Sequence, residues 1–272
     1  MNWKATQNPD GGWAYSRGCS WTEPTVLVLL AQSAIGFDSD CFAAGAKYLR
    51  SLEGPDGGWR PQSGVAESTW VTSLVGLLPP VVVGAPRHSR ALAWLKDQTG
   101  RETSWSFKLR QRLNGSREEF PDGWPWFPGA SAWVVPTSLA VLAFERELRI
   151  RPDSELSARV ASGKRFLLSH MCADGGWNYG AGRALGVDGD SYPETTGVAL
   201  LALRGENVGR PIAAAKKHLA ACRSAEGLAW LKMGLAAHGQ SPQIALEPVC
   251  RTNTDRALWA MAQAPVNPLL RP

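Results

Sequence analysis

The chain has 272 residues, of which 44% are hydrophobic and 19% charged; this supports a large core and excludes a disordered chain. The net charge of +5 is scattered rather than gathered into an aromatic-interleaved basic stripe, which excludes a nucleic-acid binder. No apolar run reaches membrane-spanning length, and the polar residues after Met1-Asn2-Trp3-Lys4 predict no secretory leader. Five cysteines (Cys19, Cys41, Cys172, Cys222 and Cys250) at irregular spacings predict reduced thiols in a cytoplasmic protein.

In chain order, a turn ending in tryptophan alternates with two kinds of predicted helix. Asp10-Gly11-Gly12-Trp13 comes first, then an apolar helix over 25–31 and an amphipathic one over 41–52. Asp56-Gly57-Gly58-Trp59 repeats the turn, followed by an apolar helix over 69–74. The connection Leu77-Leu78-Pro79-Pro80-Val81-Val82-Val83 is apolar where a loop should be polar, and predicts peripheral membrane contact or packing under a neighbour. An amphipathic helix over 88–98 leads to Trp105, with a further helix over 106–113.

A long insertion follows at 114–133, crowded with Phe120, Trp124, Trp126, Phe127 and Trp133. Loops of that length are functional or disordered, and the aromatics argue against disorder. Phe120, Trp124, Trp126 and Phe127 are expected to form a cavity lid or a structural plug. Within it, Asp122-Gly123-Trp124 is a shortened copy of the turn. Apolar helices over 137–143, 196–202, 228–238 and 254–260 then alternate with amphipathic ones over 153–171 and 209–223, with Asp174-Gly175-Gly176-Trp177 between.

Trp13, Trp59 and Trp105 recur at intervals of 46 residues. Such a period marks stacked supersecondary units. Most apolar helices start at a threonine (Thr25, Thr69, Thr137, Thr196 and Thr254), which suits an N-cap. Apolar helices buried on several faces, alternating with amphipathic ones, predict a closed double ring of about six inner helices rather than an open solenoid. The fold class is therefore all-α, an α/α toroid, in one domain over 1–272.

The segments Ala46-Lys47-Tyr48-Leu49-Arg50-Ser51-Leu52…Gly58-Trp59 and Gly163-Lys164-Arg165-Phe166-Leu167-Leu168…Gly176-Trp177 resemble the QW repeats of the terpene cyclase and protein prenyltransferase superfamily. Ala93-Trp94-Leu95-Lys96-Asp97-Gln98…Trp105 is similar and keeps the glutamine. The resemblance implies an α/α toroid and an isoprenoid or other long apolar substrate in a central cavity. In squalene–hopene-type cyclases it also implies a D-x-D-D-T signature whose middle acid donates a proton. The segment Tyr192-Pro193-Glu194-Thr195-Thr196 places Glu194 at that position, although no D-x-D-D occurs in this chain. Prenyltransferases of the fold bind zinc through Asp, Cys and His. Here His218 and Cys222 lie four apart without an obvious third ligand, so no metal and no cofactor is expected.

Glu23 and Glu67 precede Thr25 and Thr69 as Glu194 precedes Thr196. The three carboxylates are read either as a polar mouth or as charges favoured at helix N-termini. Trp21, Trp70, Trp133, Tyr192 and Trp259 are the expected substrate-binding aromatics, whose π faces stabilise cations. The expected catalytic residue is Glu194. Two other readings stand beside the isoprenoid enzyme: a non-catalytic toroid binding a lipid or a peptide, and a carbohydrate-active toroid. A single ring must hold its site internally or recruit a second subunit. An open groove with two acids across it would favour sugar chemistry, and a closed apolar funnel would favour isoprenoids.

Overall fold

Each turn-and-tryptophan motif builds one small hydrogen-bonded joint. In a computed structural model, which describes residues 2–36, 38–103, 113, 121–180, 183–184, 187–244 and 246–271, the indoles of Trp13, Trp59, Trp124 and Trp177 are fully buried. Each indole N–H donates backwards to a carbonyl: Trp3 (3.1 Å), Leu49 (2.8 Å), Leu95 (2.8 Å) and Leu167 (2.6 Å). Each backbone N–H donates forwards to a threonine hydroxyl: Thr25 (3.0 Å), Thr72 (2.8 Å), Thr137 (2.8 Å) and Thr196 (3.0 Å). The aspartate of the turn accepts from the second glycine's N–H and from a serine: Asp10 with Ser20, Asp56 with Ser68, Asp174 with Ser191. The first glycine sits at positive φ (Gly11 +90°, Gly57 +86°, Gly175 +95°), where a side chain would be strained.

Eleven α-helices are present among the described residues: α1 (Thr22–Ile35), α2 (Ser39–Ser51), α3 (Val71–Gly76), α4 (Pro80–Val83), α5 (Ala85–Asp97), α6 (Val134–Ile150), α7 (Ser154–Ser169), α8 (Pro193–Ala202), α9 (Gly209–Ala221), α10 (Ala225–Ala237) and α11 (Asn253–Gln263). A two-residue antiparallel ladder, Arg183–Ala184 with Val187–Asp188, precedes α8. Helices α1, α3, α6, α8, α10 and α11 pack in that order into a ring, and α11 closes it against α1. Helices α2, α5, α7 and α9 lie outside and show the amphipathic pattern, for example Cys41, Ala46 and Leu49 buried on α2 while Lys47 is exposed.

The inner helices are parallel, and backbone hydrogen bonds link their starts. At four of the six inner helices (α1, α3, α6 and α11) the helix start donates to the residue two beyond the next repeat's tryptophan. Thr22 donates to Pro61 (2.8 Å), Trp70 to Trp126 (2.9 Å) and Val134 to Tyr179 (3.0 Å). The same link joins the last repeat to the first, Asn253 to Tyr15 (2.6 Å), with Asn253 Nδ2 donating to Ala14 (2.9 Å). The closed toroid expected from the helix pattern is thus present.

The threonines differ from expectation. Thr25, Thr137 and Thr196 lie inside the first turns of α1, α6 and α8 rather than capping them, because a preceding tryptophan N–H needs their hydroxyls. In the second repeat the partner is Thr72, not Thr69. The capping threonine of α11 is Thr252, in a capping box with Asp255. In the connection over 77–83, Leu77, Leu78, Val82 and Val83 are buried and Val81 alone of its leucines and valines is exposed. Two prolines end α3 and start α4 so that the segment folds under its neighbours. Residues 104–112 and 114–120 lie outside the described residues; they include Trp105, Phe120 and all but the last residue of the expected helix over 106–113.

Between α8 and α10 the helices meet backbone to backbone. A Cβ on Gly197 would stand 2.3 Å from the Trp230 carbonyl carbon, and one on Gly234 would stand 2.4 Å from the Gly197 oxygen. Gly197→Ala should therefore cost about 1–3 kcal/mol or more through overpacking. Trp59→Ala should cost about 3–5 kcal/mol, by loss of the buried indole and the cavity left behind. Denaturant titration measures both; unchanged midpoints would show that neither contact holds the ring.

Candidate functional site

Because the inner helices are parallel, their positive N-terminal ends gather at one mouth of the ring, where carboxylates are favoured. The first turns carry Glu23 on α1, Glu194 on α8, Glu226 on α10 and Asp255 on α11. In the ring order, α1 and α8 stand on opposite sides, with α10 and α11 between them along one arc.

The first and fourth repeats carry the same pair. In Trp13-Ala14-Tyr15 and Trp177-Asn178-Tyr179 the tyrosine lies two beyond the buried tryptophan. The glutamate lies two before the threonine that holds that tryptophan. Tyr15 donates a short hydrogen bond to Glu23, and Tyr179 donates to Glu194 at 2.8 Å. Partial desolvation of the hydroxyls within the mouth, then the adjacent glutamate, raises both phenols above their ordinary range, although the side chains as a whole keep contact with solvent. Burial also raises the Glu23 carboxyl, and the Tyr15 hydrogen bond opposes that shift.

Glu226 stands among these groups. It reaches solvent, but the surrounding mouth withholds part of its hydration. That desolvation, followed by the charges of Glu23, Glu194 and Asp255, pushes its pKa up to about 7. Asp255 is already engaged, accepting from the Arg251 and Thr252 backbone N–H groups. Three exposed tyrosines, Tyr15 (37%), Tyr179 (40%) and Tyr192 (45%), line the same mouth. Tyr15 packs on Trp21 (5.8 Å between ring centroids) and Tyr179 on Tyr192 (5.7 Å).

The structure thus brings together Trp21, Glu23, Tyr192 and Glu194 of the residues expected from the sequence. Half-buried Trp133 lies beside Gly180, near Tyr179. Glu67 is exposed and takes no part in the coupling around Glu226. Because Thr72 rather than Thr69 binds the Trp59 N–H, the position equivalent to Glu23 and Glu194 in this repeat is Trp70. Trp70 instead meets Trp126 edge-on, 4.9 Å between centroids. Trp124 is a buried joint residue, and Phe127 of the same loop is half-exposed (51%). Trp259 is buried away from the mouth, its indole donating to Glu247 at 3.1 Å.

Tyr15, Tyr179 and Glu226 went unseen in the sequence reading. The repeated W-x-Y could have found the tyrosines. Glu226 was hidden because α10 begins at Ala225, with Ser224 as its cap, rather than at Leu228. Ser191 Oγ also lies 2.6 Å from both Asp174 Oδ2 and His218 Nε2. The same Asp–Ser pair recurs in two other turns, where Tyr48 donates to the Ser20 carbonyl and the Trp94 indole to Asp56 instead, so the pair belongs to the joint and His218 is added to it in this turn. Among the described residues no group of three His, Cys, Asp or Glu side chains could hold a metal ion.

No protein-family model matches the chain, and no curated protein matches it by sequence. Solved structures share the fold. An alpha-amylase from Clostridium perfringens is 9% identical, covering 96% of this chain and 94% of its own, with a TM-score of 0.57. A variant of the type II terpene cyclase MstE from Scytonema, in complex with geranylgeranyl dihydroxybenzoate, is 14% identical, covering 95% and 74%, with a TM-score of 0.53. A polysaccharide lyase is 10% identical, covering 90% and 89%, with a TM-score of 0.52. At these identities the likeness shows the toroid fold alone.

The raised Glu226 has a consequence for stability. Between about pH 4.5 and 7 the unfolded chain releases this proton while the fold keeps it. Its contribution is therefore fully present below the unfolded value and is lost as pH rises through about 7. Glu226→Gln should melt at a higher temperature than the parent above that pH and match it in mild acid. Equal melting curves across the range would show that the glutamate carries no such strain.

Proposed function

We propose that the chain is an acid–base enzyme that cleaves a neutral sugar chain laid across the acidic mouth of the ring. One observation carries the reading: a carboxyl with its pKa pushed up to about 7 is coupled to carboxylates on the two adjacent inner helices and on the next but one. Glycoside hydrolysis needs that division, one carboxyl keeping its proton as general acid and another acting as base or nucleophile. Glu226 is the acid. Glu194, oriented by Tyr179, is the base or nucleophile, and Glu23 with Tyr15 supplies charge on the far side. Tyr192 and Trp21 offer faces on which a sugar ring stacks. The ionised carboxylates beside Glu226 would repel a polyuronate, so the favoured substrate is neutral.

Alkene protonation fits this site less well. An alkene is a very weak base, and a carboxyl with a pKa near 7 is a weak donor for it. The isoprenoid reading remains the second one, because the tryptophan joints resemble QW repeats and a fold neighbour is complexed with a geranylgeranyl substrate.

The test is reducing-end release from a panel of neutral glycans. Glu226→Gln should lower the rate by about 10²–10⁴-fold. The parent's rate should fall on the alkaline side near the Glu226 pKa, and this limb should be absent from the residual activity of the variant. Full activity in Glu226→Gln would remove it as the acid. Failure on every glycan, with turnover of a geranylgeranyl substrate, would establish the isoprenoid reading instead.

A further inference from the structure

Among the described residues, outer helices cover four of the ring's six seams, and the seam between α10 and α11 is one of the two without such a helix. The seams before it are covered by α2, α5, α7 and α9, whereas the described residues of 239–252, between α10 and α11, contain no helix. A groove of about 940 Å³ lies there, lined by Met233, Ile244, Trp259, Met261 and Leu270, with Lys232 among them. This size and lining are those of a small-molecule site.

Lys232 is the informative member. The inner helices otherwise carry their charges toward their ends, but Lys232 lies in the middle of α10. Its ammonium donates to Gln263 Oε1 at 2.6 Å and stands 5.7 Å from the centre of the Trp259 ring. Among the described residues no carboxylate pairs with it, and burial lowers its pKa. Glu247, on the groove wall, is engaged by the Trp259 indole instead. A half-buried cation with only a neutral partner, set in an apolar wall, has an unmet preference for an anion.

We infer that this groove binds an apolar chain ending in an anionic head, a carboxylate or a phosphate. Lys232 holds the head, and Met233, Ile244, Trp259, Met261 and Leu270 cover the tail. This site is separate from the acidic mouth and does not depend on the chemistry proposed there.

Isothermal titration calorimetry with dodecanoate, dodecyl phosphate and dodecanol, each below its micellar concentration, tests it. At least one anion should bind one per chain, and dodecanol about 10-fold or more weaker. Lys232→Gln, shown by its melting curve to be folded, should bring the anion down to the level of the alcohol. Glu226→Gln should bind the anion as the parent does. Preference for dodecanoate over dodecyl phosphate, or the reverse, identifies the head group. No saturable binding of either anion, equal affinity for the alcohol, or undiminished binding in Lys232→Gln would overturn the inference.

Discussion

The buried tryptophan of each turn is the contact on which everything else rests. Its indole fills the gap between an outer helix and the next inner helix, and burying an aromatic of that size is the largest favourable term at the joint. The indole hydrogen bond adds only about 1 kcal/mol net, but leaving that N–H unpaired inside the core would cost about 1–3 kcal/mol. The side chain therefore needs both the apolar slot and the carbonyl of Leu49, Leu95 or Leu167. The backbone N–H of the same residue fixes the threonine of the following helix, so one amino acid sets the register of two helices.

That register decides where the chemistry falls. With the tryptophan and the threonine fixed, the tyrosine two beyond one and the glutamate two before the other must meet. This happens in the first and fourth repeats, which face each other, and so produces two Tyr–Glu pairs across the mouth. In the second repeat the equivalent position holds Trp70, and in the third Val135. The ring thus varies two positions of a constant joint, building acid on some arcs and aromatic wall on others.

The fold was legible because it is written in a repeat. D-G-G-W and the apolar and amphipathic alternation point to a toroid, whereas the 46-residue interval does not carry through: it leads to Trp105, and the indole that donates to Leu95 in the third joint is that of Trp124. The site was only partly legible. Glu194 and Glu23 could be read from their place before a threonine, but the same rule selected Glu67, since nothing in the sequence shows that Thr72 outcompetes Thr69 for the Trp59 N–H. Glu226 belongs to a repeat with no tryptophan joint, so periodicity could not reach it. Its shifted pKa comes first from desolvation in the mouth and then from carboxylates on three other inner helices, which only the closed ring assembles. Trp259 lies at the uncovered seam between α10 and α11 rather than at the mouth, since a helix wheel cannot say which side of a seam lacks its cover.

Ring closure through Asn253, Ala14 and Tyr15 also changes how the molecule can come apart. An open helical array can fray one repeat at a time from either end, because each unit touches only its neighbours. A ring offers no such starting place: every inner helix has a neighbour on both sides. Loosening one repeat sacrifices two interfaces instead of one. The contacts that close it join residues almost the whole chain apart, so they are expensive in loop entropy and form late. Once made, they turn a string of modest units into a body that resists local opening, and hold the facing carboxylates at a fixed separation.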